Sequence, residues 1–274
     1  MKRLQKNSIK AIINPRKAFS NKGDYGHALL IAGSQGKMGA AVIAAKACLR
    51  TGVGLLTVNV PQDERSILQT GIPEAMLTMR ESTPHNFNDF SAIGIGPGMG
   101  INKQSEKLLI YVLTKFKNPF VIDADALNII SINQNLLTKI PKETILTPHP
   151  KEFDRLFGAH KNSDERIKTA IKKAEQLNIV IVLKGHKTLI TYAGEVFFNT
   201  TGNAGLAKGG SGDALTGIIT AFLAQGYGPK NAAKTGVYLH GLAADIALKK
   251  QSMESILITD VIECMGKAIK SVMK

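Results

Sequence analysis

Residues 203–217 read NAGLAKGGSGDALTG, five glycines, a lysine and an aspartate set directly ahead of an apolar helical pattern. Glycine lets backbone amides approach a ligand closely. A helix start presents N–H groups that lack intrahelical acceptors, together with the positive end of the helix dipole. Gly209, Gly210, Ser211 and Gly212 are therefore candidates for cradling phosphate oxygens, and Asp213, in the first helical turn, is a candidate base at the lip of that cradle. The plain alternative is an acid that complements the dipole. It accounts for Asp213 but not for the glycines that precede it. The segment is not a Walker P-loop, because Lys37 is followed by Met38 and Lys208 by Gly209 where that motif needs Gly-Lys-Ser/Thr.

Three further segments carry residues suited to the same chemistry. TPHPKEF (147–153) holds His149 between two prolines, whose fixed φ makes a stiff turn, and puts Glu152 three residues on, where it either caps a helix or stands near a metal bound to phosphates. A surface turn histidine is the bland reading. KGHKT (184–188) follows a wholly apolar run; Lys184 can meet a phosphate and Gly185 permits close backbone approach, a solvated loop being the alternative. DADALN (123–128) offers Asp123 and Asp125, one of which is expected to cap a helix. In GIGPGMG the glycines alternate and the third dinucleotide-fingerprint glycine falls on Met99, so a Rossmann motif is not indicated. There is no G-x-S-x-G elbow and no Cys/His metal spacing.

These segments need a frame that brings them to one place. HALLIAG, LLTVNV, AMLTM, FSAIGIGPG, PFVIDADAL, ETILTPHPKEF and IVIVLKG read as strands, alternating with helical runs such as GAAVIAAKACLRTG, KQSEKLLIYVLTKF and DERIKTAIKKAEQLN. Strands apolar on both faces that alternate with helices imply a parallel sheet covered on both sides. KTLITYAGEVFFNT reads as a hairpin about Ala-Gly-Glu. After residue 205 the pattern is nearly all helical. Leu215, Ile218, Ile219, Phe222 and Leu223 fall on one buried face, with two more helices at about 230–250 and 259–272. No linker or repeat interrupts the chain, so residues 1–274 are expected to form a single α/β domain. Ligands of open α/β sheets bind beyond the carboxyl ends of the strands, and the glycine loops, DADALN, TPHPKEF and KGHKT all follow predicted strands.

Composition fits this frame. The 274 residues carry a net charge of +14, which reads as a solvated basic surface or as attraction for polyanions such as nucleotides. Scattered lysines, the absence of tryptophan and the lack of an aromatic-interleaved basic block argue against nucleic acid. Cys48 and Cys264, far apart in apolar helical patterns, suit buried thiols in a reducing compartment. No apolar core follows the basic N-terminus, and no run reaches the length of a membrane span, so a cytoplasmic protein without membrane association is expected.

In this order, GHALLIAGS, IGIGPGMG, VIDADALN, TPHPKEF, VLKGHKT, GNAGLAKGGSGDALTGII and YLHG resemble the ribokinase-like superfamily, and within it the ADP- or ATP-dependent NAD(P)H-hydrate dehydratases. The resemblance covers nearly the whole chain and implies a ribokinase-like three-layer α/β/α sandwich with a mostly parallel central sheet. It implies repair of hydrated NADH and NADPH, the ring hydroxyl being phosphorylated from ADP or ATP and phosphate then eliminated. By family pattern the hydrate meets Ala40, Ala41, Gly98, His149 and Asp213, with Asp213 catalytic. The nucleotide lies along Lys184, Gly185, His186, Lys187 and Thr188 and against Gly209 to Gly212, and Mg²⁺ bridges its phosphates through water near Glu152. The resemblance further implies a tetramer and a separate epimerase, since only about 25 residues precede the domain. Sugar kinases of the superfamily carry Asn-x-x-Glu where this chain reads His149-Pro150-Lys151-Glu152, which favours the dehydratase branch and leaves metal ligation by Glu152 open. A kinase of a small vitamin-type alcohol and a non-catalytic nucleotide-binding module are the rival readings.

Overall fold

A computed structural model describes residues 1–82 and 87–274. Its frame is a ten-stranded sheet in the order β1-β10-β9-β8-β7-β6-β5-β2-β3-β4. The strands are β1 (Lys2–Arg3), β2 (His27–Ile31), β3 (Leu55–Val60), β4 (Met76–Met79), β5 (Ala92–Ile95), β6 (Val121–Ile122), β7 (Ile145–Leu146), β8 (Val180–Leu183), β9 (Leu189–Tyr192) and β10 (Glu195–Phe198). Only the β8–β9 and β9–β10 pairs are antiparallel; the remaining pairs are parallel, as two-sided apolar strands require.

Alternation along the strands divides the core. Leu29 and Ile31 of β2, Ile122 of β6 and Ile181 of β8 face one layer, with α4 (Lys103–Lys115), α5 (Ala124–Ile132), α6 (Pro150–Phe157) and α7 (Ser163–Leu177). Leu30, Val121 and Val182 face the other, built from α1 (Lys6–Lys10), α2 (Met38–Arg50), α3 (Arg65–Gly71), α8 (Ser211–Ala224), α9 (Pro229–Ala247), α10 (Ile258–Glu263) and α11 (Met265–Met273). The layered α/β/α arrangement is the one expected.

Three details differ from the sequence reading. Every residue of α8 from Ala214 to Ala224 is buried, not one face alone, because α8 lies on the sheet between α2 and α9. A Cβ on Gly217 would stand 2.1 Å from the Ala44 carbonyl oxygen, so glycine is what lets α2 and α8 approach. The expected 259–272 helix is two helices that break at Cys264. The hairpin turns on Ala193–Gly194, both with positive φ, as a two-residue turn of the type that matches strand twist.

The chain leaves β2 for β3 and β4 on one side and returns as β5 on the other. The loops after β2 and β5 therefore face each other at a topological switch point, and the ends of β6, β7 and β8 continue the same edge. No helix of the described residues is long and apolar enough to cross a membrane.

Candidate active site

A cavity of about 660 Å³ opens at this edge. It is lined by His149, Glu152, Lys184, Gly185, His186, Thr188, Ser211, Gly212 and Asp213, residues that the sequence had scattered over three segments. Asp123 and a wall from Asn199 to Ala207, backed by α9, complete it.

The glycine loop ends at Gly210, in the left-handed region, and α8 begins at Ser211, so Gly212 and Asp213 fall in the first turn. Burial pushes the Asp213 carboxyl up to about 6; the Asp123 charge acts in the same direction and Lys184 opposes it. Lys184, at the end of β8, donates from Nζ to Asp123 Oδ1 at 2.8 Å and lies 3.8 Å from Glu152 Oε2. Burial alone would lower its pKa, but Asp123 and then Glu152 outweigh it and hold the ammonium above its ordinary value. The ammonium is thereby held at the start of α8, where a Cβ on Gly212 would stand 3.2 Å from Lys184 Nζ.

His149 is the N-cap of α6 with Pro150 in the first turn. Its Nδ1 accepts from the amides of Lys151 (3.1 Å) and Glu152 (3.3 Å), and Glu152 Oε2 accepts from the His149 amide at 2.8 Å. This is a capping box with histidine in the usual serine place. Because Nδ1 accepts, Nε2 carries the proton of the neutral ring, and burial, then Lys184, lower the His149 pKa. Glu152 is 5% exposed, and burial pushes its carboxyl up against the pull of Lys184.

The expectation that Asp123 or Asp125 caps a helix is corrected. Asp123 occupies the N-cap position of α5 but makes no side-chain cap bond; its carboxylate turns to Lys184 and to Thr216, whose Oγ1 donates to Oδ2 at 2.7 Å. Asp125 Oδ2 accepts from the Gly100 amide instead, at 2.8 Å.

The remaining candidates lie beside the cavity. Gly98 meets α2 at the switch point, where a Cβ on it would stand 2.9 Å from the Ala40 Cβ. Ala41 is fully buried among Met38 and Gly33, so its side chain faces the core and not the crevice. Gly210 backs onto Ile43, Gly209 lies in the loop ahead of it, and Lys187 is exposed outside the cavity lining.

Sequence reading missed the far wall. Asn199 Nδ2 and Thr201 Oγ1 donate to the Val237 and Tyr238 carbonyls, and the Gly202 amide and Asn203 Nδ2 donate to the Asp245 carboxylate, so α9 grips this loop by four bonds. His240 is 6% exposed, lines the cavity, and its Nε2 has no hydrogen-bond partner among the described residues. Burial, aided by Lys184, pushes it down to about 4, so the ring is neutral. The polar residues of YLHG inside an apolar helix were the one signal of this wall.

A family model described as NAD(P)H-hydrate dehydratase matches residues 28–267. The chain belongs to this family. It is 35% identical to the ADP-dependent (S)-NAD(P)H-hydrate dehydratase of Bacillus subtilis, over 96% of this chain and 95% of that one. It is also 35% identical to the bifunctional NAD(P)H-hydrate repair enzyme of Moorella thermoacetica, over 93% of this chain but only 51% of that one; the chain spans about half the length of such bifunctional relatives. The crystal structure of the ADP/ATP-dependent NAD(P)H-hydrate dehydratase from Bacillus subtilis, co-crystallized with ATP/Mg²⁺, superposes with a TM-score of 0.87 at 33% identity, covering 98% of this chain and 97% of that one.

Proposed function

We propose that this chain dehydrates the S-form of hydrated NADH and NADPH at the expense of ADP, with AMP and phosphate as the other products. The observation that carries the reading is the meeting of Asp213 and Lys184 in one cavity at the start of α8, with Asp213 held near a pKa suited to a base.

In this mechanism the ionised Asp213 takes the proton of the ring hydroxyl as that oxygen attacks the terminal phosphorus of ADP. The bond from phosphorus to the AMP oxygen breaks. Lys184 and the amides at the start of α8 receive the charge that develops on the transferring phosphoryl group. The carbon–oxygen bond of the ring phosphate then breaks, inorganic phosphate leaves with the bonding pair, and the neighbouring carbon gives up its proton to that departing phosphate, which restores the dihydronicotinamide double bond. Neutral His149, with Ala40 and Gly98 at the switch point, holds the hydrate. The run from Lys184 to Thr188 and the glycine loop hold the nucleotide.

Magnesium fits this site in one form only. Among the described residues no group of three or more His, Cys, Asp or Glu side chains forms a cage, and Glu152 Oε2 is engaged by the His149 amide. Mg²⁺ commonly keeps its waters and binds through phosphates with one or two carboxylates. Glu152 would therefore hold a metal-bound water, and the ion would neutralise charge between the phosphates. The proposal places the protein in the cytoplasm as a single domain over residues 1–274, in a homotetramer, with a separate epimerase that supplies the S-form and with no nucleic-acid or membrane partner.

The products test the assignment. Each hydrate consumed should release one phosphate and one AMP; accumulation of a phosphorylated organic product would replace it with the vitamin-alcohol kinase.

Two expected results follow from the protonation states. Asp213 must be ionised to act, so kcat/KM for the hydrate should fall with unit slope below about pH 6, measured between about pH 5 and 8 at saturating ADP. A profile flat across that range would remove Asp213 as the base. His149→Ala should raise the hydrate KM by about tenfold with the ADP KM within about twofold, because one neutral hydrogen-bond donor contributes roughly 1.4 kcal/mol. His149→Asn, which retains a cap acceptor, separates loss of binding from loss of the cap. A selective loss of ADP affinity would contradict this placement.

A further inference from the structure

The geometry points to Asp123 as a positioning residue for phosphoryl transfer, one that holds Lys184 toward the nucleotide phosphates and away from Asp213. This rests on the nucleotide reading above and adds a residue that the reading does not use. Asp123 is 1% exposed, and both of its oxygens are engaged by side chains that come from elements distant in sequence. Oδ1 accepts from Lys184 Nζ at 2.8 Å, from the end of β8. Oδ2 accepts from Thr216 Oγ1 at 2.7 Å, and Thr216 is fully buried on α8, three residues after Asp213. Asp123 itself follows β6 directly, at the N-cap of α5. One carboxylate thus ties the phosphate-facing lysine to the helix that carries the base.

Removing a carboxylate from water is costly, and structural packing alone is usually served as well by apolar side chains. This carboxylate is instead aimed at a ligand cavity. Gly212 leaves the bridge open to that cavity: a Cβ there would stand 3.2 Å from Lys184 Nζ and 3.5 Å from Asp123 Oδ2. A lysine ammonium is a point charge on a flexible four-carbon stem and goes where counter-charge draws it. The alternatives on hand are Glu152, 3.8 Å from Nζ, and Asp213, whose charge Lys184 also feels. A lysine drawn onto Asp213 would neutralise the base and abandon the phosphate together. With Asp123 fixed by Thr216, the ammonium has a second, stronger anchor and keeps free donors for the ligand.

The test is a double-mutant cycle of Asp123→Asn and Lys184→Met on the full chain, with kcat and the KM values for ADP and for the hydrate measured separately. Asp123→Asn should lower kcat by about 30-fold or more while the hydrate KM stays within about twofold, and in the Lys184→Met background it should change kcat by less than about threefold, as residues acting through one another do. Full persistence of the Asp123→Asn effect in that background overturns the proposal, as does a single variant with wild-type kcat. Lys184→Met with unaltered ADP kinetics would overturn the nucleotide reading and this proposal with it. The double variant removes the Asp123–Lys184 charge pair as a unit. Should Asp123→Asn fail to fold, the conservative pair decides: Thr216→Val should lower kcat by about fivefold and Thr216→Ser should restore it to within about twofold, since only the hydroxyl differs in role. Equal kcat in Thr216→Val and Thr216→Ser overturns the bridge.

Discussion

Asp213→Asn is expected to lower kcat for hydrate dehydration by about 10²–10⁴-fold, the usual weight of a positioned general base, while the Kd for ADP stays within about threefold. The amide keeps the size and the first-turn position of the carboxyl but cannot accept the hydroxyl proton. Asp213 carries this expectation because of where burial and Asp123 have put its pKa, up to about 6. A carboxylate left at its ordinary value would be a weaker base, and one raised much further would be protonated in the cell. The same shift has a consequence for stability. A carboxyl with a raised folded-state pKa favours the fold at low pH, and that advantage is lost as pH rises through about 6. At neutral pH the ionised side chain is a burden, so Asp213→Asn should raise Tm there and leave it unchanged near pH 4. Loss of turnover with a gain in Tm is the pattern of a residue kept for chemistry. Turnover near wild type would assign the base elsewhere.

Lys184→Met should lower kcat by about 10²-fold and raise the ADP KM by about tenfold, as loss of one preorganised charge at a transferring phosphoryl group does. Methionine keeps most of the stem and removes the ammonium. The cost to folding is softened because Asp123 retains its bond from Thr216. The ratio of the two effects is informative. A change confined to KM would mean that Lys184 binds ADP uniformly in ground and transition states. Steady-state kinetics over a range of ADP, with the hydrate saturating, separates these outcomes.

The frame was legible because its strands are extreme. ALLIA and IVIVL are apolar at every position, and only a sheet covered on both faces has room for them. The start of α8 was legible for the opposite reason, since glycines and an acid ahead of an apolar run have few structural explanations. β1 was not, because Lys2–Arg3 carries no pattern and is a strand only through its pairing with β10. β6 and β7 hold just two residues each in the ladder, so their acids and prolines begin sooner than the apolar runs suggest. The partnership of Asp123 and Lys184 spans 61 residues and two strands. Local reading saw two helix-start acids there and expected one of them to cap, and tertiary pairing overrode that preference for both. The wall from Asn199 to Ala207 was hard to read because its grip comes largely from Asp245, a side chain of α9 42–43 residues further on, which local pattern does not connect with the loop.

The most direct measurement is optical. Purified protein is mixed with Mg²⁺ and hydrated NADH, ADP or ATP is added in parallel, and the return of reduced-nicotinamide absorbance is followed. Recovery that depends on the nucleotide is expected, with ADP effective, and none without it. Folded protein that binds ADP yet restores no absorbance with either nucleotide would contradict it.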